Sequence, residues 1–414
     1  MRGVTVAVAP GSEYSARMNA TIDYRKRIEN IQAELAARRL DALVGTRLKT
    51  VTHVAGAFVP WRSATVVPAR GNPAVITLMM DAARVADDSW LDRVLPHGPF
   101  PGQSLIDVAV GYLRELGIES GRVGIESGTS SYLPDGWITH AEWQQLGRAL
   151  PHAELVNAGD LIDRITLVKQ NAEVKLLRQA AAICDRAIEA VREELCIGMS
   201  EQQIAGIAEH AARDAGSEFA WTFTGGMEIA SGYRTAYPMG GCTPATGKLV
   251  QCHEAVILDV HAMYGLMLGD VAHNAVMGKP SPAQREVITA YVESCNQLVT
   301  LMQPGRRLGD VARAMSEFVA AHGWTDIVLP GYGHGIGHFG HEWFPCVIDS
   351  DDEGTTDPAF ELQPNYVQEI AIVCNRPGVA GFRLERPLLI TETGNELLSG
   401  LPFTPWVIDE GCVC

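Results

Sequence analysis

Apolar and polar positions change rhythm several times along this chain, and each change predicts a different kind of element. Residues 21–40, TIDYRKRIENIQAELAARRL, repeat with helical spacing, and Thr21 stands where a cap belongs. Short apolar runs at Asp41–Val44, Ala64–Val67 and Ala74–Leu78, divided by Gly and Pro turns, read as strands. A helical stretch at Leu105–Leu116 precedes a further strand at Arg122–Ile125. This alternation predicts an α/β domain over roughly the first 160 residues. A long amphipathic helix then starts near Gln170 and runs to about Leu195, a length suited to joining domains. Ser200-Glu-Gln-Gln opens another helix with a capping-box pattern. Strand patterns dominate Phe223–Val276, a helix pair covers about 282–322, and strands return over 325–409. The second half therefore reads as antiparallel-rich α+β, and residues 1–20 as a loose arm. No tandem repeat interrupts the chain.

Composition narrows the function classes. The chain has 414 residues, 47% of them hydrophobic, and a formal net charge of −16. That charge argues against a general grip on nucleic acid or on an anionic membrane. No apolar run reaches the length of a membrane span, and MRGVTVAVAPG does not read as a signal peptide. Nine cysteines without CxxC spacing point to reduced thiols in a cytoplasm, not to a disulfide framework or a structural zinc site. Cys412 and Cys414 read as an exposed tail.

The candidate chemistry lies in the second half. Asp259 and Asp270 sit eleven apart in VILDVHAMYGLMLGDV, at strand-like apolar sites where an acid is costly unless hydrogen-bonded or metal-bound. Taken singly, each reads better as a turn-forming acid at a strand end, and only the pair with the downstream pieces favours a metal site. His334 lies in GYGHGIGHFGHE and Glu385 in GFRLERPLLIT. Carboxylates with an imidazole suit a divalent ion such as Mn, Co or Zn. Two acids from facing strands can bridge two such ions, and the pair can ready a hydroxide for attack. His334, His338 and His341 share a glycine-rich segment, in which His338 reads as a solvated loop residue. Gly335-x-Gly337-x-x-Gly340 satisfies a dinucleotide fingerprint, but that reading requires a preceding strand and a following helix.

With these motifs in place, the chain resembles the creatinase/aminopeptidase P/prolidase/methionine aminopeptidase superfamily. The resemblance implies a pita-bread catalytic domain over 165–414 and a smaller creatinase-like α/β N-terminal domain over 1–164. It rests on Asp259 and Asp270, on GHGIG with His334, on a second histidine at His341, and on PGVAGFRLE ending at Glu385. By resemblance, Asp259, Asp270, His334 and Glu385 are metal ligands, and His341 contacts the substrate or the reacting carbonyl. Arg383 occupies the place of an arginine that supports the last glutamate.

Three departures stand out. Where metal-dependent members place a glutamate fourteen residues before the last one, this chain has Ala371, with Glu369 two residues earlier. Strand alternation puts both on one face, so a bulge or slip would let Glu369 serve as ligand or base. The alternative is that Glu369 points elsewhere and a single ion binds. Cys242 holds the place of a substrate-binding histidine, and is either a nucleophile or soft ligand, or a small buried residue. Pro330 replaces a further histidine.

These features together predict a metal-dependent hydrolase of a C–N bond, an amide or Xaa-Pro peptide, acting through metal-activated water with one or two ions per chain. A metal-free amidinohydrolase and a non-catalytic binding module of the same fold are the alternatives. The predicted partner is a small molecule or short peptide, and the predicted state is a homodimer, with Trp61-Arg62 as a contact candidate. Trp221-Thr-Phe-Thr-Gly-Gly, Tyr233 and Trp343 are candidates to line the pocket.

Overall fold

The computed structural model describes residues 22–100, 102–128, 136–219, 227–237, 241, 243–350 and 356–409. The expectations for the N-terminal arm, Thr21, Trp221–Gly226, Cys242, Cys412 and Cys414 fall outside these residues. The chain divides into two compact units, Met1–Thr166 and Leu167–Cys414.

The first unit opens with α1 (Tyr24–Ala37), capped by Asp23, whose side chain accepts from Lys26 N. β1 (Ala42–Gly45) leads to α2 (Leu48–Ala55), then β2 (Ala64–Pro68) and β3 (Ala74–Leu78). α3 (Ala82–Asp88), β4 (Val94–His97), α4 (Leu105–Glu115), β5 (Arg122–Ile125), α5 (His140–Ala149), β6 (Glu154–Asn157) and α6 (Leu161–Ile165) complete it. The six strands form one mixed sheet in the order β4-β3-β2-β1-β5-β6. One apolar cluster packs α1, α2 and α6 against this sheet, and a second packs α4 and α5. This is the α/β architecture that alternating strand and helix patterns require.

Buried Glu126 and partly buried Asp163 hold the start of α2. Arg47, its N-cap, offers no side-chain cap. Glu126 instead accepts from the N–H groups of Thr46 at 2.8 Å and Arg47 at 2.9 Å, placing negative charge at the helix's positive end. Asp163 takes Arg47 Nη1 at 2.6 Å and Lys49 Nζ at 3.0 Å. Arg62 is engaged within this unit, with Nη2 2.6 Å from Glu142 Oε2 and Nη1 2.5 Å from the Gly136 carbonyl. Trp61 beside it is 48% exposed.

The second unit begins with α7 (Asn171–Glu194) and α8 (Glu201–Asp214), the latter carrying the Ser200 capping box. Its strands are β7 (Glu228–Ser231), β8 (Ala255–Tyr264) and β9 (Met267–Met277). The helix pair α9 (Pro282–Leu301) and α10 (Leu308–Ala321) follows. β10 (Gly333–Gly337), β11 (Gly340–Glu342), β12 (Val367–Arg376), β13 (Ala380–Ile390), β14 (Asn395–Leu397) and β15 (Trp406–Ile408) end it. One nine-stranded sheet runs β11-β10-β12-β13-β9-β8-β7, with β14 on β13 and β15 on β9.

Helices cover much of this sheet. α7 buries Val174, Leu177, Ala181, Cys184, Ile188 and Val191 at three- and four-residue spacing, and packs on β8 and β9. Gly269 of β9 permits that approach, because a Cβ there would lie 2.5 Å from the Ala180 backbone. α9 and α10 share a core with β12 and β13. Gly335-x-Gly337-x-x-Gly340 spans the β10–β11 hairpin with no helix after it, so the dinucleotide reading fails. His338, expected to be solvated, is buried at 3% exposure. The cysteine expectation needs one correction: Cys252 is disulfide-bonded, whereas Cys184, Cys196, Cys295, Cys346 and Cys374 are free.

Asp163 supplies a test of the first unit. Burial raises its pKa, but Lys49 and Arg47 outweigh burial and hold it below the ordinary carboxylate value. Its contribution to stability is thus complete above its unfolded pKa of about 4 and disappears as pH falls through the lower folded value. Asp163→Asn is expected to cost about 3 kcal/mol at pH 7, since it strands two cations. Urea titrations at stepped pH should show that deficit shrinking below roughly pH 4.

Candidate metal centre and active site

Strand register gathers the acids and imidazoles onto one face of the larger sheet. On β8, Asp259 and His261 are two residues apart and so point the same way. Directly opposed residues of an antiparallel pair also share a face. His261 opposes Asp270, and Asp259 opposes both Ala272 and Glu228. Ala272 in turn opposes Glu385 of β13. Glu385 opposes Ala371 of β12, while Glu369 opposes His334 of β10. Ile336 of β10 opposes His341 of β11. The same face therefore carries Glu228, Asp259, His261, Asp270, Glu385, Arg383, Glu369, His334 and His341.

At its centre, His261, Asp270, His341 and Glu385 each offer a donor atom, all within 4.8 Å of one another. His261 Nε2 lies 3.2 Å from Asp270 Oδ1 and 3.9 Å from Asp259 Oδ1. His341 Nε2 lies 2.7 Å from Asp270 Oδ2. Asp259 leans the other way, its Oδ2 accepting from Arg383 Nη1 at 2.7 Å. The same Nη1 lies 2.8 Å from Glu228 Oε2. Asn274 fixes the arginine's backbone: its Oδ1 accepts from Arg383 N at 2.9 Å and its Nδ2 donates to Arg383 O at 2.8 Å.

His334 stands beside this group, its ring 4.8 Å from that of His341 and 4.5 Å from Trp343. Its Nδ1 donates to the Gly335 carbonyl at 2.9 Å, which fixes the tautomer and leaves Nε2 with the lone pair. Gly333 beside it has φ +133°, and a Cβ there would lie 2.0 Å from the Glu369 carbonyl, so only glycine lets β10 close onto β12. Glu369 is wholly buried, and neither of its carboxylate oxygens has a hydrogen-bond partner. β12 and β13 pair without interruption from Val367 to Arg376, so no bulge moves Glu369 into the position that Ala371 holds.

Electrostatics follow from crowding acids out of water. Burial and then Glu228 push Asp259 up to about 6, against the pull of His261 and Arg383. Burial, followed by nearby Asp270 and Asp259, raises Glu369 and Glu385 well above the carboxylate range. Burial works against Asp270 too, but His261 and His341 hold it far below that range. Burial would lower His261, yet Asp270 and Asp259 raise it to about 9. His334 is lowered to about 4, chiefly by burial, and is neutral at pH 7. An excess of buried carboxylates with unpaired oxygens, amid imidazoles, is chemically suited to a divalent cation.

His261 escaped sequence reasoning. The signal was present: a histidine two residues after Asp259 in a strand alternates onto the same face. Glu228 was missed as well, because nothing around it in the sequence shows that it opposes Asp259.

Fold and site together define a two-domain pita-bread hydrolase. The pattern of metallopeptidase family M24 matches residues 175–392, more than half of the chain, and the protein belongs to that family. The creatinase/prolidase N-terminal domain pattern matches residues 27–168. The Xaa-Pro dipeptidase of Pyrococcus horikoshii is 28% identical over 277 residues, covering 67% of this chain and 74% of that one. An uncharacterized hydrolase/peptidase of Sinorhizobium fredii, y4tL, is 24% identical over 421 residues, covering 95% and 96%. Among solved structures, the Xaa-Pro dipeptidase of Bacillus anthracis superposes with a TM-score of 0.78 at 21% identity, covering 93% of this chain and 100% of that one. No helix among the described residues is long and apolar enough to cross a membrane.

A cation that binds only the folded site must stabilise the fold. At a hundred times its Kd the gain is about 2.7 kcal/mol, or roughly 5–10 °C in Tm for a domain of this size. Scanning calorimetry of metal-stripped protein, with and without added Zn(II) or Mn(II), should record that rise, and a chelator should reverse it.

Proposed function

We propose that this protein is a divalent-metal-dependent hydrolase of a C–N bond in a short peptide or small amide, with Xaa-Pro dipeptides as the first substrates to test. The observation carrying this reading is the convergence of His261, Asp270, His341 and Glu385 from four strands of an M24 domain. Asp270 and Glu385 would hold the ion together with neighbouring donors of the same face. A divalent ion bound there supplies Lewis acidity and an acidified water.

The chain's own residues supply positioning and proton movement. Neutral His334 presents the Nε2 lone pair, and Trp343 packs against the rings of both His334 and His341, fixing their orientation. Glu369, buried and raised well above the carboxylate range by burial and then by Asp270, suits the general acid–base role. Arg383 bonds both Asp259 and Glu228 and holds them in place. The names of the Pyrococcus and Bacillus relatives favour Xaa-Pro dipeptides. Cys242 and Pro330, standing where the superfamily carries histidines, favour a different small amide.

A second, metal-free reading has specific support: His341 bonds Asp270 directly, and Arg383 bonds Asp259 directly. Chelation separates the two readings, because activity surviving complete metal removal would establish the second.

Release of proline from Xaa-Pro dipeptides, or of amine from small linear and cyclic amides, should appear only in the metal-loaded protein. Glu369→Gln is expected to lower kcat by about a hundredfold or more with little change in KM, as loss of a proton-transfer group does. Unchanged kcat in that variant would remove Glu369 from the reaction.

A further inference from the structure

Resting on the proposed metal dependence, we infer that His261 is itself a ligand and that the centre is a single-ion site of two imidazoles and two carboxylates. In this arrangement Asp259 serves as an anchor for Arg383. The ion would be held by His261, Asp270, His341 and Glu385.

Three independent observations lead here. First, one oxygen of Asp259 is already committed, while its Oδ1 has no hydrogen-bond partner. Arg383 Nη1 lies 2.7 Å from its Oδ2, and the arginine is locked by Glu228 at 2.8 Å and by the paired backbone bonds to Asn274. Using Asp259 as a two-oxygen ligand would break a buried, charge-assisted bond. Second, Ala371 opposes Glu385 in unbroken register and brings a methyl group, with no donor atom, to that part of the face. A second ion beside Glu385 lacks a carboxylate there. Third, His261 opposes Asp270, is 3% exposed, and turns Nε2 toward the acids at 3.2 and 3.9 Å. Its Nδ1 is buried without a hydrogen-bond partner. An imidazole so placed has no stabilising role on its Nδ1 side, and its Nε2 side faces the donor cluster.

The donor set carries a consequence for metal choice. Two carboxylates balance one divalent ion, and two neutral imidazoles complete the set without adding charge to the interior. Imidazole nitrogen favours Zn(II) or Co(II) over Mn(II) more strongly than carboxylate oxygen does. His261 thus tilts the centre toward the nitrogen-preferring metals.

The test uses metal-stripped full-length protein. Elemental analysis would measure stoichiometry, calorimetric titration would measure Zn(II) and Mn(II) affinities, and visible absorption of the Co(II) form would report the ligands. The wild-type protein is expected to take one ion per chain. His261→Asn should weaken Zn(II) by more than about tenfold, since even loss of an outer partner of a ligand costs 10- to 100-fold. It should weaken Mn(II) less and alter the Co(II) spectrum. Asp259→Asn should hold its ion within about threefold of wild type. Circular dichroism would verify folding, and His261→Gln would replace His261→Asn if that variant does not fold. Two ions per wild-type chain, or loss of an ion in Asp259→Asn with unchanged Zn(II) binding in the His261 variant, would overturn the inference. Asp270→Asn separates the two levels. Its loss of all binding upholds the metal reading whatever His261 does, whereas wild-type binding in that variant would bring down both.

Discussion

Everything in the larger unit is arranged around one electrostatic constraint: Asp259, Asp270, Glu369 and Glu385 must share a sheet face largely cut off from water. Carboxylates in such a place cannot all remain ionised without compensation. Each finds a different solution. Asp259 takes a guanidinium, and Asp270 takes two imidazoles. Burial and the neighbouring acids instead raise Glu369 and Glu385 well above the carboxylate range. A cation would relieve the same crowding, which connects the fold's electrostatics to the chemistry expected of it.

Strands carry nearly all of this face, and that choice has mechanical consequences. A site on paired strands inherits the precision of the hydrogen-bond ladder, which loops do not provide. Three devices tighten it further. Asn274 bonds both the N–H and C=O of Arg383 across β9 and β13. Gly333 lets β10 lie against β12 more closely than any side chain permits. Gly269 lets α7 close over β9 from the far side. Each fixes a backbone next to a functional side chain: Arg383, His334 and Asp270 respectively.

How much of this was legible in the sequence depended on range. α7, β3, β5 and the α9–α10 pair were visible, because their hydrophobic periods are regular and their ends carry caps or glycines. Small elements of the first unit, such as β4 and β6, were not, since four-residue strands with half-buried faces leave no periodic trace. Asp259, Asp270, His334 and Glu385 stood out as candidates because acids and an imidazole are conspicuous in apolar or glycine-rich stretches. His261 was hidden in plain view, since the apolar run around it drew attention only to its acid. The Arg383–Asp259–Glu228 bridge was beyond reach, because its partners are 124 and 155 positions apart and meet only through register.

Where an acid stands along a strand matters as much as whether the face carries it. Glu369 and Ala371 lie on the same face of β12, two residues apart, or about 7 Å along the strand. Glu369 opposes His334, whereas Ala371 opposes Glu385. The carboxyl group of β12 therefore lies away from the position opposite Glu385, and no arginine or imidazole bonds it. A cation responds to local potential and to reachable donors, not to the total number of acids on a face. With Asp259 tied to Arg383 and Ala371 empty of donors, the greatest density of free donor atoms shifts toward Asp270, and the residue opposite Asp270 is His261. Ala371 and His261 thus bear on the same physical question, which is where on this face enough donor atoms lie close together to share one ion.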